Sequence, residues 1–142
     1  MNQQISKSRR RLAVVINYLC IALFLILFNI GVYYGWSIPV IAGVIVSVAV
    51  AMVSFIVLHV KTHLWKLVHT KADKLDERQI QVTHESLRYS YGIFSVISLL
   101  VLMCTALIVD KYDSGLIMIF ACLLYLAHTL PASVIAWTEK EV

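Results

Sequence analysis

"LAVVINYLCIALFLILFNIGVYYGWSIPVIAGVIVSVAVAMVSFIVLHV", Leu12 to Val60, contains no Asp, Glu, Lys or Arg. It is interrupted once, at "GWSIP" (Gly35–Pro39), which divides it into Leu12–Tyr34 and Ile38–Val60. Each piece has about the 20 apolar residues a helix needs to cross a bilayer core. Lipid offers no partner for backbone N–H and C=O groups, so a spanning segment must satisfy them internally. The runs are too long and too continuous for the alternating strands of a barrel. The break is short, and Pro39 suits the start of a second helix. The stretch therefore reads as a transmembrane helical hairpin. Its first run exceeds the core of a signal peptide and is followed by no small-residue cleavage site, so it is expected to be a retained span.

The second half repeats the plan without repeating the sequence. Apolar runs extend from about Ser90 to Val109 and from Gly115 to Trp137, joined by "DKYDSG". The chain thus reads as one integral membrane domain, residues 1–142, all-α, a four-helix transmembrane bundle made of two helical hairpins. Composition agrees: 61% of the 142 residues are hydrophobic and 14% charged, more apolar surface than a soluble domain of this size could hide.

Charge sets the expected orientation. Of 12 lysines and arginines, only Lys111 falls in a connection on the side of "GWSIP". The rest precede the first run, lie between the second and third, or follow the fourth. Cytoplasmic loops carry such an excess, so both termini and residues 61–89 are expected in the cytoplasm of a cell membrane. Tyr33, Tyr34, Trp36 and Tyr112 at one boundary and Trp137 at the other form the aromatic belt. The net charge of +4 flanks the spans and forms no basic stripe with aromatics, which favours lipid headgroups over nucleic acid.

Packing signals lie within the runs. Gly43, Ser47 and Ala51 form a small-xxx-small seam that lets a neighbouring backbone approach closely. Stripes at Tyr91, Ser95, Ser98, Leu102 and Thr105, and at Ala121, Tyr125, Thr129, Ala132 and Ala136, are expected to face other helices, as in a bundle. No charged residue lies at depth, which disfavours a proton-coupled exporter. The intramembrane polar residues of note are Asn17 and His128. His128 sits by Pro131, which removes a helical donor and is expected to kink the helix. A buried imidazole needs a partner, and Asn17, Tyr18, Ser95 and Ser98 are the candidates.

The hairpin Val60–Tyr89 lacks Gly and Pro and is rich in helix formers. "KTHLWKLVHT" reads as a continuation of the second helix, turning near Ala72 and Asp73. Asp73 or Asp76 is the expected N-cap of the next helix. Ile80, His84, Leu87, Tyr91 and Phe94 follow 4-3-4-3 spacing into the third run, so the second and third helices are both expected to extend into the cytoplasm. Asp76, Glu77, Arg78, Gln81 and Arg88 are the candidate partner-docking residues on this arm. His59, His63, His84 and Glu85 are candidate ligands for Zn²⁺, given imidazole and carboxylate donors and an i, i+4 His pair, although "HVKTH" lacks the glutamate of H-E-x-x-H. Haem would need two histidines at matching depth, which His128 and His59 do not offer. The three cysteines fall inside apolar runs and form no C-x-x-C pair, so they read as packing residues.

"KLDERQIQVTHESLRYSYGIF" (Lys74–Phe94) resembles the Asp-Glu-Arg segment of a group of small bacterial and archaeal membrane proteins of unknown function, with two spans, a charged cytoplasmic segment and two more spans. Leu75, Asp76, Glu77, Arg78 and Ile80 carry the resemblance, with the aromatics Tyr89, Tyr91 and Phe94. A Lys-Ala pair common in that group near Thr83–Ser86 is absent. The resemblance implies this architecture and no activity. Two functions therefore stay open: a non-enzymatic regulator or accessory subunit that docks a cytoplasmic protein or a membrane-complex partner, a second copy of the chain included, and a metal- or lipid-dependent enzyme at the inner leaflet.

Overall fold

Ser6 opens the first helix, α1 (Lys7–Tyr34), its Oγ accepting from the Arg9 amide at 3.5 Å. Gly35 closes it at φ 99°, a conformation that L side chains rarely adopt. In the computed structural model, which describes residues 6–108 and 114–139, four further α-helices follow: α2 (Ile38–Phe55), α3 (Leu64–His69), α4 (Glu77–Ile108) and α5 (Ser114–Thr138). No strand occurs among the described residues. Four helical stretches are long and apolar enough to cross a membrane, Lys7–Tyr34, Ile38–Val60, Glu77–Thr105 and Gly115–Thr138. Leu19, Leu23, Ile26, Ile45, Val46, Leu99, Leu100 and Leu124 are among the many large apolar residues left exposed. Such a surface fits lipid and would be an aggregation hazard in water.

The helices lie in contact order α2–α1–α5–α4. α1 packs on α2 by one face and on α5 by another, and α4 makes its extensive contact with α5. The α1–α2 seam is the expected one. Ser47 and Ala51 are buried, and a Cβ at Gly43 would lie 2.8 Å from Leu27 Cδ1. Small side chains are what let these backbones approach. On α5, Thr129, Ala132 and Ala136 are buried as expected, whereas Ala121 is exposed.

The second helix does not run on through His69 as its composition suggests. Its ladder slips into a π-helix over Ile56–Val60, with the Lys61 amide reaching the Ile56 carbonyl at 3.0 Å. His63 then takes a left-handed conformation, φ 60°, ψ 7°, and α3 turns against α5 and the π segment. The reason is burial. Leu58 and Leu64 both belong to the apolar core with Ala13, Val14, Ala132, Ile135 and Ala136. On a straight helix, residues six apart point about 120° away from each other, so only a break lets both reach the same core.

α4 is one helix from the charged segment into the third span, as expected, about 48 Å long for 32 residues. Its inward face differs from the stripes read from the sequence. Thr83, Ser86 and Ser90 are buried and Phe94, Ile97 and Val101 half-buried, while His84, Leu87, Tyr91, Ser95 and Leu102 are exposed. From Thr83 to Ser90 small hydroxyl side chains set the close approach, and from Phe94 to Val101 larger apolar residues take over the inner face. α5 continues as a helix through Pro131.

Candidate functional site

The polar side chains buried between the helices form a linked set centred on Asn17, which is 0% exposed. Asn17 Nδ2 donates to the Ala51 carbonyl (3.1 Å) and to Ser54 Oγ (2.9 Å) on α2. Its Oδ1 accepts from the Tyr125 hydroxyl of α5 at 3.0 Å. One amide thus uses both donors and its acceptor to tie three helices. One turn further toward the C-terminus of α5, the Tyr18 hydroxyl donates to Ser133 Oγ (2.9 Å) and lies 3.2 Å from Thr129 Oγ1. Thr129 Oγ1 in turn donates to the Tyr125 carbonyl at 2.9 Å. Two sequence patterns combine here: a lone amide in an apolar run, and Tyr125, Thr129 and Ser133 at four-residue spacing on one helix face.

His59 sits in the π segment, fully buried. Its ring stacks on Phe55 at 4.6 Å and meets Trp65 edge-on at 6.2 Å. Its Nε2 faces the Thr129 carbonyl at 3.4 Å. A carbonyl only accepts, so a bond there requires the tautomer with its hydrogen on Nε2. Trp65 stacks on His69 at 4.2 Å, which extends the aromatic series Tyr125–Phe55–His59–Trp65–His69 toward the end of the molecule. π segments frequently occur at functional sites. Here the slip places an imidazole against α5.

At the same end, the basic residues that begin α1 close the C-terminus of α5. Lys7 Nζ donates to the Thr138 carbonyl (2.7 Å), Arg10 Nη2 to Glu139 O (2.8 Å) and Arg11 Nε to Trp137 O (3.1 Å). The Arg11 guanidinium also lies 4.9 Å from the centre of the Trp137 ring. The last carbonyls of a helix lack intrahelical partners and carry its negative dipole end, so cations are well placed there. A cluster read for membrane orientation is therefore also a helix cap. Spacing along the chain gives no sign of it, because the partners are more than 120 residues apart.

The Asp-Glu-Arg segment divides by role. Asp76 is the N-cap of α4: its Oδ1 accepts from the Gln79 amide (2.7 Å), and Gln79 Oε1 accepts from the Asp76 amide (3.3 Å). This is a reciprocal capping box, and it selects Asp76 over Asp73. Arg78 reaches Glu139, just past α5, at 3.7 Å. The first turn of α4 is therefore level with the end of α5, and the charged arm lies alongside the bundle at that point. Gln81 donates to Glu85 at 3.1 Å. Glu77 and Arg88 are exposed and make no hydrogen bond or ion pair among the described residues.

The proposed zinc ligands are not brought together. His59 is buried, His63 and His84 are exposed, and Glu85 is bound to Gln81. Among the described residues, no three His, Cys, Asp or Glu side chains gather in an arrangement that could hold a metal ion. His128 is exposed rather than buried, its Nδ1 2.9 Å from the Leu124 carbonyl of its own helix. Asn17 and Tyr18, expected partners for it, bond Tyr125, Thr129 and Ser133 instead.

No family model, no curated protein and no solved structure matches this chain.

Proposed function

We propose that this chain is a small multi-pass protein of the cell membrane that acts without catalysis, as a regulator or an accessory subunit. In this reading both termini and residues 61–89 lie in the cytoplasm, and the charged face of α4 docks a cytoplasmic protein or the cytoplasmic part of a membrane complex. One contrast carries it. The polar groups of Asn17, Tyr18 and Tyr125 are engaged in bonds between helices, whereas the Glu77 and Arg88 side chains on α4 stand exposed with no protein partner among the described residues. Asp76 and Gln79 hold the start of the helix and so present that face.

The test keeps the cap intact. A photo-crosslinker at Gln81 in living cells should trap a discrete adduct, and Glu77→Arg with Arg88→Glu should abolish it while the protein stays inserted. An unchanged set of adducts in that double variant overturns the docking role. Orientation is tested separately, in a background without the native cysteines. An impermeant thiol reagent applied to intact cells should label Ser37→Cys and spare Lys71→Cys, and the reverse pattern overturns the placement.

A further inference from the structure

A furrow runs along the bundle between α1 and α4, floored by α5. Its half near the chain termini has a volume of about 450 Å³. Val14 and Tyr18 form the α1 wall, Tyr89 and Ile93 the α4 wall, and Leu130 and Val134 lie on the floor, so the lining is almost wholly apolar. The furrow arises because α1 and α4 each pack on α5 and make no extensive contact with one another.

What distinguishes this half is its rim. Trp137 and Thr138 end the lining, and each is held by a cation of α1: Arg11 on the Trp137 carbonyl and ring, Lys7 on the Thr138 carbonyl. Lys7, Arg11, Val14 and Tyr18 follow 4-3-4 spacing, so the two cations and the apolar wall share one helix face. Arg78 approaches from α4, countered by Glu139. Neither Arg11 nor Lys7 spends its full donor set. The guanidinium has five N–H groups and the ammonium three, and each makes one hydrogen bond among the described residues. The other half of the furrow, about 600 Å³ and lined by Leu25, Ile26, Asn29, Tyr33 and Leu100 among others, has no Lys or Arg in its lining.

We infer that the half-furrow at the terminal end is a specific site for an anionic phospholipid. One acyl chain lies in the groove against Val14, Ile93 and Leu130. The headgroup phosphate meets the unspent N–H groups of Arg11 and Lys7. Trp137 sits between them at the level where amphipathic rings settle. Basic pockets between helices at the cytoplasmic interface recognise such headgroups, and an ionised acceptor strengthens each hydrogen bond. The site is independent of whatever docks at α4.

Two measurements test this. In the first, delipidated protein in detergent is titrated with dioleoyl phosphatidylglycerol, dioleoyl phosphatidylcholine or inorganic phosphate, with bound species read by native mass spectrometry. Phosphatidylglycerol should bind at least tenfold more tightly than phosphatidylcholine, and inorganic phosphate should not bind measurably. Arg11→Gln should remove the headgroup preference, and Ile93→Trp, which fills the groove and leaves the cations in place, should weaken phosphatidylglycerol binding. Equal binding of the two lipids by the parent, or parental binding by Ile93→Trp, means an annular lipid only and overturns the site. Phosphate binding as tight as the lipid overturns the role of the groove.

The second measurement needs no variant. Parent protein in vesicles of phosphatidylcholine with one-tenth phosphatidylglycerol carrying a diazirine on its acyl chain is irradiated and digested. Adducts should concentrate on Val14, Ile93 and Leu130. Equal labelling of Ile45 and Val46, exposed on α2, overturns the proposal.

Discussion

Replacing Asn17 by Leu keeps the number and branching of the side-chain heavy atoms and removes every polar atom it contributes. Three hydrogen bonds are lost, to Ala51, Ser54 and Tyr125. Side-chain bonds within membrane bundles average about 0.6 kcal/mol each, so the three together are worth about 2 kcal/mol. The partners do not suffer equally. Ser54 Oγ still donates to the Ala51 carbonyl at 2.9 Å, so α2 is left satisfied. The Tyr125 hydroxyl loses its acceptor, and an orphaned polar group adds about 1 kcal/mol or more. Asn17→Leu should therefore cost about 3 kcal/mol in all. Tyr125→Phe removes one bond and orphans the buried Asn17 Oδ1, for about 1.6 kcal/mol. The double variant leaves neither orphan, so it should cost about 2 kcal/mol rather than the about 4.6 of independent effects. The assay is reversible unfolding in mixed micelles by increasing SDS fraction, followed by circular dichroism, on parent, both single variants and the double. Strict additivity, or an Asn17→Leu variant within about 0.5 kcal/mol of the parent, refutes the assignment of Asn17 as the tie between α1, α2 and α5.

Three further outcomes are expected. Asp76→Ala should lower stability by about 1 kcal/mol through loss of the cap, with faster hydrogen exchange at the first amides of α4, and Asp76→Asn should retain most of it. His63→Gly should stabilise the protein by about 0.5–1 kcal/mol in the same SDS titration, because the left-handed conformation at φ 60° suits glycine, while His63→Val should destabilise by more than 1 kcal/mol, in keeping with the strain of about 1–2 kcal/mol that the region imposes on most residues. His128→Leu should leave stability within about 0.5 kcal/mol of the parent, since that side chain is exposed and bonds only its own helix. A loss of 2 kcal/mol there would mean that His128 packs inside the bundle.

The all-helical class, the four spanning stretches and the single helix from the charged segment into the third span are properties of the sequence alone. They follow from local composition: an apolar run of about 20 residues has one economical structure in lipid, and an Asp followed by a Gln at the third position caps a helix wherever it is placed. The face each helix turns inward is a different kind of fact. In water, burial selects the apolar face, and periodicity reveals it. In lipid both faces are apolar, and close packing of small residues decides. That is why Ser47, Ala51, Ala132 and Ala136 face inward within the spans while Leu19, Val46 and Leu124 do not, and the inward face of α4 at Thr83, Ser86 and Ser90 is likewise invisible to apolar periodicity. The break at Lys61–His63 was equally hidden, because nothing between Val60 and Leu64 is a helix breaker. Only the tertiary demand that Leu58 and Leu64 share one core requires it. The contacts of Asn17 with Tyr125, of Arg11 with Trp137 and of Arg78 with Glu139 join residues 108, 126 and 61 positions apart. Local patterning carries no record of such distances, and the order of the helices in the bundle creates them.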